Sequence, residues 1–200
     1  WGKISELGFG GIYVSEEYGG SGLSRLDATL IFEALAMACP SVGSFLSIHN
    51  MVGGMIDKFG SDQNKESFLT DLCSMKKIFS YCLTEPGSGS DASALKTKAT
   101  RTNEGFILNG TKSFISGGAY SNAYLTMTRT GEDGPKGISA IIIEDPSDGL
   151  SFGAFEDKMG WKAQPTAQVQ FDDCRVPSSN LIGDEGYGFT YAMAGLDGGR

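Results

Sequence analysis

The residues best suited to chemistry form one loop, Tyr-Cys-Leu-Thr-Glu-Pro-Gly-Ser-Gly-Ser-Asp-Ala-Ser, at positions 81–93. It begins like a strand and breaks at Glu85-Pro86-Gly87 into a run of glycines and serines that ends in an acid. Glycine lets backbone N–H groups approach an anion or a planar ring closely, and the hydroxyls of the loop add donors. The same glycines and proline also suit a plain turn between strands. Spacing alone leaves both interpretations open.

The loop lacks the two common nucleotide-binding signatures. No Gly-Lys-Ser/Thr follows it, and its glycines do not open a helix with G-x-G-x-x-G spacing. A second stretch, Lys-Ser-Phe-Ile-Ser-Gly-Gly at 112–118, ends a predicted strand with an aromatic, a hydroxyl and two glycines. An aromatic and a hydroxyl at a strand end suit the face and edge of a flat heterocycle. This second stretch favours the ligand-binding interpretation of the loop.

Composition narrows the classes of function. The 200 residues carry a net charge of -8, which argues against non-specific binding to nucleic acid. The strongest apolar run, 138–143, is far shorter than the roughly 20 residues of a membrane-spanning helix. A single histidine, His49, excludes a histidine-rich metal site and is more typical of a core position than of catalysis. The scattered cysteines form no zinc or disulfide pattern and are expected to be reduced and mostly buried: Cys39, Cys73, Cys82 and Cys174.

The elements that must position these stretches fall into two halves. Up to residue 77 the apolar spacing is helical, and the stripes are interpreted first as packing surfaces. Three helices are predicted: one capped by Asp27 and ended by Pro40, one over 45–59 stopped by Gly60, and one over 68–75 ending in Lys76-Lys77.

After residue 77 the apolar period changes to two, which predicts strands. They are placed at 78–84, 95–100, 105–108, 112–116, 123–130, 138–144, 150–155 and 168–171. Asn109-Gly110 predicts a two-residue hairpin between two of them. Strands of this length and spacing suggest a small antiparallel barrel or sandwich. The pattern turns helical again from Tyr187.

Several segments together resemble the acyl-CoA dehydrogenase family over essentially the whole chain. The main one is the signature Tyr-Cys-Leu-Thr-Glu-Pro-Gly-Ser-Gly-Ser-Asp at 81–91. The others follow in order: Asn109-Gly110-x-Lys112 with Phe114-Ile115-Ser116, Met159-Gly160-Trp161, the run 171–177, and Ile182-Gly183 through Gly188-Phe189.

The resemblance implies an α+β multidomain fold. Residues 1–77 would be part of an N-terminal α-helical domain, 78–186 a middle antiparallel β-barrel domain, and 187–200 the first turns of a C-terminal helical domain. The chain is therefore expected to be a fragment that lacks the start and most of the C-terminal domain.

The resemblance also implies FAD as cofactor, and it assigns site residues by position. The cofactor-binding residues would be Tyr81, Cys82, Leu83, Thr84, Glu85, Pro86, Gly87, Ser88, Gly89, Ser90, Phe114, Ile115 and Ser116. The substrate-binding residues would be Ser90, Asp197, Gly198, Gly199 and Arg200. Glu85 is interpreted as a turn residue, because the family's catalytic glutamate is expected beyond Arg200. The fragment alone is therefore expected to be inactive.

The implied reaction is α,β-dehydrogenation of an acyl-CoA thioester, with electrons passed to an electron-transfer flavoprotein. Short branched-chain acyl groups, and isobutyryl-CoA above all, are favoured by stretches such as Gln164-Pro165-Thr166 and the Gly-Gly-Arg ending. The full-length protein is expected to be a homotetramer, in the mitochondrial matrix if eukaryotic and in the cytoplasm if bacterial. Two alternatives remain open: a truncated non-catalytic module that binds flavin or acyl-CoA, and an acyl-CoA oxidase.

Overall fold

The computed structural model describes residues 1–199, and their side chains as far as Asp197. The first half is helical and the second half is a sheet. The helices are α1 (Gly2–Glu6), α2 (Arg25–Ala38), α3 (Pro40–Phe59), α4 (Asp62–Cys73) and, after the sheet, α5 (Gly188–Gly199). None of the helices within residues 1–199 has the length and apolarity needed to cross a membrane.

Two helices begin with reciprocal side-chain caps. Ser24 is the N-cap of α2, and Asp27 bonds back to the Ser24 backbone N–H from the third helical position. The prediction that Asp27 itself caps the helix is therefore wrong by three residues. Ser61 and Asn64 form the same arrangement at the start of α4.

The apolar stripe of α2 is not the core surface that its spacing predicted. Leu30 is 57% exposed and Met37 79% exposed, and Ala28 is the one buried residue of this helix. The stripe of α3 is a core stripe as predicted, with Phe45, Val52 and Ile56 buried. The difference is positional, because α3 lies between α2, α4 and the sheet whereas α2 lies on the outside.

His49 joins the helices to the sheet, which confirms it as a core histidine. Its Nδ1 accepts a hydrogen bond from the Phe79 backbone N–H at 3.0 Å, and its Nε2 lies 3.0 Å from the Leu72 carbonyl oxygen. The ring is therefore neutral, with the proton on Nε2. Burial lowers its pKa from 6.5 to about 4.

This depressed pKa predicts a loss of stability in mild acid. Between pH 6.5 and about 4 the His49 ring is protonated in the unfolded chain but stays neutral in the folded chain. The free energy of unfolding therefore falls as pH falls through this window. The expected contribution of His49 is about 3 kcal/mol. His49→Gln keeps a donor and an acceptor but does not titrate, so its unfolding free energy should vary less between these two pH values. Denaturant titration of both proteins checks this, and equal pH slopes would contradict it.

Eight strands form the second half: β1 (Phe79–Cys82), β2 (Lys98–Arg101), β3 (Gly105–Ser116), β4 (Ala123–Arg129), β5 (Ile138–Glu144), β6 (Leu150–Phe152), β7 (Thr166–Pro177) and β8 (Leu181–Ile182). They make one sheet in the order β6-β7-β3-β2-β4-β5-β8, with β1 beside β4. Most neighbours are antiparallel, whereas β1 and β2 each pair with β4 in parallel. The short strand β8 was not predicted.

The hairpin predicted at Asn109-Gly110 is wrong. Both residues lie inside β3, where the register with β7 shifts between Leu108 and Gly110. The Asn109 amide pairs with Asp173 across this bulge, donating to its carboxylate and accepting its backbone N–H, each at 2.9 Å. Gly110 has a φ of 147°, and a Cβ there would meet Thr97 at 2.6–2.8 Å. A turn-forming pair thus lies within a long strand, opposite a bulge whose extra residue is in β7.

Two large apolar cores and a smaller cluster around Phe45 and Leu46 follow from this arrangement. One lies inside the curved sheet and takes side chains from six strands, including Cys82, Leu108 and Val169. The other lies between the outer face of the sheet and α3, α4 and α5, and includes Val52 and Leu125. The four cysteines are free, and all but Cys39 are buried.

Candidate cofactor site

A bulge near the end of β3 shapes the site. Between the pairs Lys112–Val169 and Ile115–Ala167, strand β3 has one residue more than β7. Phe114 lies in this bulge with a φ of 58°, a conformation that is unfavourable for a bulky side chain, and it is 66% exposed. Its neighbours Ser113 and Ile115 are buried. The bulge therefore turns one aromatic ring outward from an otherwise buried strand end.

A cavity of about 190 Å³ lies beside this ring. Its lining combines both stretches that the sequence selected with one residue each from α3 and α5: Tyr81, Leu83, Thr84, Phe114, Ile115, Ser116, Ile48 and Leu196. None of these side chains carries a charge at neutral pH. Ile48 was missed, because it belongs to a helical stripe that looks like an ordinary packing surface in the sequence. Leu196 immediately precedes the predicted substrate-side residues, but no role was assigned to it.

Other predicted residues lie outside this lining. Cys82 is buried in the core of the sheet. Ser88 is also buried and donates to the Asp91 carbonyl at 2.6 Å, which closes the loop on itself. Four loop residues are exposed: Pro86, Gly87, Gly89 and Ser90.

The predicted substrate-side segment is described only in part. Asp197 is exposed near the end of α5, one residue after the cavity residue Leu196. Gly198 and Gly199 continue the helix. Arg200 lies outside the described residues.

A cluster of serines fixes the turn after the bulge. The Ser80 hydroxyl donates to the Ser116 carbonyl at 2.5 Å and lies 2.7 Å from the Ser121 hydroxyl oxygen. Gly117 follows with a φ of 81°, packed against both hydroxyls and the ring of Phe45. The position of Ser116 is therefore set by buried hydrogen bonds on the side away from the cavity.

Glu85 points into the protein instead of toward solvent or the cavity. Its carboxylate accepts the Lys112 ammonium at 2.7 Å and the backbone N–H groups of Lys96 at 2.6 Å and Thr97 at 2.9 Å. Burial alone would raise the pKa of this carboxyl, but the Lys112 charge and the hydrogen bonds outweigh burial and hold the pKa below its usual value. Burial lowers the pKa of the Lys112 ammonium more than the carboxylate raises it. Glu85 is thus a buried, ionised carboxylate whose oxygens are held by Lys112 and two backbone N–H groups.

Comparison with known proteins places this arrangement in a family. Residues 1–76 match the N-terminal domain of acyl-CoA dehydrogenases, and residues 80–174 match their middle domain. The chain is 60% identical over 199 residues to the mitochondrial isobutyryl-CoA dehydrogenase of Dictyostelium discoideum. That match covers 99% of this chain and 48% of the relative.

Solved structures agree with this assignment. Butyryl-CoA dehydrogenase from Megasphaera elsdenii superposes with a TM-score of 0.94 at 39% identity, covering 99% of this chain and 53% of that chain. A chain in the structure described as the electron transferring flavoprotein of Acidaminococcus fermentans gives 0.95 at 41% identity, with coverage of 99% and 53%.

The protein belongs to the acyl-CoA dehydrogenase family, a family of oxidoreductases that act on CH–CH bonds and bind FAD. The expected α+β fold, with a helical N-terminal domain and a β middle domain, is confirmed. The chain spans about half the length of the relatives that it matches.

The residues of the cavity fit the ring system of FAD. The lining is neutral and mostly apolar, with an exposed aromatic face on Phe114 and hydroxyls on Thr84 and Ser116. The Tyr81 hydroxyl is buried and has no hydrogen-bond partner among the described residues. Burial raises the pKa of this phenol, so it stays protonated as a free donor. At about 190 Å³ the cavity is smaller than typical ligand pockets, which suits a ring or an acyl end and not a whole dinucleotide.

Proposed function

We propose that the full-length protein is an FAD-dependent dehydrogenase that introduces an α,β double bond into a short branched-chain acyl-CoA, with isobutyryl-CoA as the preferred substrate. The observation that carries the proposal is the cavity in which Phe114 and Ser116 meet Leu83 and Thr84 from the end of β1. The 60% identity to an isobutyryl-CoA dehydrogenase supports the choice of acyl group.

The residues of this chain would hold and desolvate the reacting groups. Phe114 would pack its ring against the cofactor, and the backbone and hydroxyl of Thr84 would bond its polar edge. Ser116 would present its hydroxyl to the cofactor ring. FAD, when bound, supplies the two-electron acceptor that the reaction requires. Ile48, Leu83 and Leu196 would exclude water, which strengthens electrostatic interactions at the thioester.

The base that removes the α-proton is proposed to come from outside residues 1–199. No side chain lining the described cavity is a carboxylate, and Glu85 is bound to Lys112. A proton acceptor for an α-carbon must be desolvated so that its pKa rises toward that of the substrate. Glu85 is the opposite case, because Lys112 and the hydrogen bonds hold its pKa below the usual value despite its burial.

The remaining assignments of the sequence are kept as proposals, except that the side chains of Cys82 and Glu85 point into the protein and not into the cavity. The loop residues Pro86 to Ser90 would contact the cofactor through their backbone, and Ser90 would also contact the acyl-CoA. Residues 197–200 would lie on the substrate side. The domain limits 1–77, 78–186 and 187–200 are kept. The electron acceptor would be an electron-transfer flavoprotein, the assembly a homotetramer, and the compartment the mitochondrial matrix in a eukaryote or the cytoplasm in a bacterium.

Acyl specificity of the full-length protein tests the proposed substrate. The value of kcat/KM should be highest for isobutyryl-CoA when compared with 2-methylbutyryl-CoA and butyryl-CoA, using an artificial electron acceptor in place of the protein partner. One methylene in an apolar pocket typically changes kcat/KM by roughly 10- to 200-fold. A preference for butyryl-CoA would contradict the branched-chain assignment but not the proposed type of reaction.

A further inference from the structure

The ion pair of Glu85 and Lys112 is buried next to the cavity but does not line it. The side chains are 7% and 0% exposed, and their charged atoms lie 2.7 Å apart. The pair is also connected to the backbone, because Lys112 donates to the Leu83 carbonyl at 3.1 Å while Glu85 accepts two backbone N–H groups at 96–97.

These bonds tie together three segments, two of which line the cavity. Leu83 and Glu85 are at the end of β1, Lys112 lies in β3 just before the bulge, and Thr97 immediately precedes β2. A backbone bond from Ser113 N–H to the Thr84 carbonyl at 2.8 Å lies beside the pair and links the same two segments. Residues 83–84 and 114–116, which do line the cavity, are thus held at a fixed separation by groups placed behind them.

We propose that Glu85 and Lys112 are positioning residues that set the spacing between the backbone at Leu83–Thr84 and the bulge at Phe114. Neither residue lines the cavity. The inference rests on the proposed function, because it takes this cavity to hold the cofactor ring. The lysine acts through the Leu83 carbonyl, and the glutamate acts by orienting the lysine and closing the loop at 96–97.

Removing both charges distinguishes a purely structural pair from a positioning pair, because only loss of a positioning pair should weaken FAD binding after stability has recovered. Replacing a buried ion pair with uncharged groups of similar volume is often neutral for stability, whereas removing one partner leaves a buried charge without compensation. The double variant Glu85→Gln/Lys112→Met should therefore recover much of the stability that Lys112→Met alone loses. It cannot restore the hydrogen bond to the Leu83 carbonyl.

The experiment measures FAD binding and thermal unfolding of the full-length protein in four forms. These are the wild type, Lys112→Met, the double variant, and Ile141→Ala as a control that destabilises the interior of the sheet away from the cavity. FAD affinity is read from quenching of flavin fluorescence, and the environment of the ring from the shape of the visible flavin spectrum, at a temperature where all forms are folded.

A positioning role predicts that changes in FAD affinity do not follow changes in stability across these variants. The double variant should bind FAD about tenfold more weakly than the wild type, the equivalent of one lost hydrogen bond, and show an altered flavin spectrum despite its recovered stability. Ile141→Ala should keep wild-type affinity and spectrum despite its lost stability. A double variant with wild-type affinity and spectrum would overturn the inference alone. A wild-type protein that binds no FAD would overturn the proposed function, and this inference with it.

Discussion

Lys112→Met is expected to lower the free energy of unfolding by about 3–5 kcal/mol at neutral pH, because it leaves the Glu85 carboxylate buried without its counter-ion. Methionine is unbranched and only one heavy atom shorter than lysine, so most of the loss would come from the unpaired charge and not from the packing. Burial raises the pKa of Glu85, and the Lys112 charge is the largest of the effects that hold it below its usual value. In the variant that pKa should rise, so the deficit relative to the wild type should shrink as the pH is lowered and the carboxyl takes up a proton.

Lys77→Met is the matched control for this prediction. Lys77 and Glu144 also lie 2.7 Å apart, but their side chains are 32% and 41% exposed. Exposed pairs contribute about 0–1 kcal/mol, so this variant should be nearly neutral. Denaturant unfolding of the two variants compares them directly. Equal losses in both would mean that burial of the Glu85–Lys112 pair has no energetic consequence.

Gly117→Ala is expected to destabilise the fold by about 2–5 kcal/mol and to weaken cofactor binding. Gly117 has a φ of 81°, where a Cβ is strained, and that Cβ would overlap the hydroxyls of Ser80 and Ser121 and lie 2.8 Å from the ring of Phe45. The strain and the overpacking each cost on the order of 1–3 kcal/mol. Relief of the overlap would break the Ser80 bond to the Ser116 carbonyl, so the strand end that carries Phe114 and Ser116 should shift.

Gly87→Ala is the control, because it tests whether replacing any glycine near the site destabilises the fold. No atom lies within 4 Å of a Cβ at Gly87, so the substitution should change the free energy of unfolding by no more than about 0.5 kcal/mol. Thermal unfolding and flavin binding are measured for both variants. A Gly117→Ala protein as stable as Gly87→Ala would contradict this prediction, because Ser80 and Ser121 would then accommodate the added methyl group with no loss of stability.

The strongest sequence signals were those with a local physical cause. The periodic helix α3, the second half of α4 and the strand β5 were found because burial on one face or both faces leaves a regular pattern. The first half of α4, from Asp62, was not predicted. The two stretches that line the cavity were also found, because each joins glycines to hydroxyl and aromatic side chains within a few residues.

Features that depend on distant residues could not be found in this way. Asn109-Gly110 has the composition of a hairpin, but β3 pairs with β7 on both sides of it and continues through it as one strand. The apolar stripe of α2 has the spacing of a core helix, yet no described element covers Leu30 or Met37. The partner of Glu85 lies 27 positions away in the chain, and no local pattern joins the two.

The measurement that tests the central claim most directly is an anaerobic titration of the purified full-length protein with isobutyryl-CoA, followed through the visible flavin absorbance. We predict that the protein is isolated with bound FAD and that stoichiometric isobutyryl-CoA bleaches this absorbance while the unsaturated thioester forms. A flavin spectrum that isobutyryl-CoA and butyryl-CoA both leave unchanged would contradict the account, since the cavity would then hold the cofactor without performing the dehydrogenation.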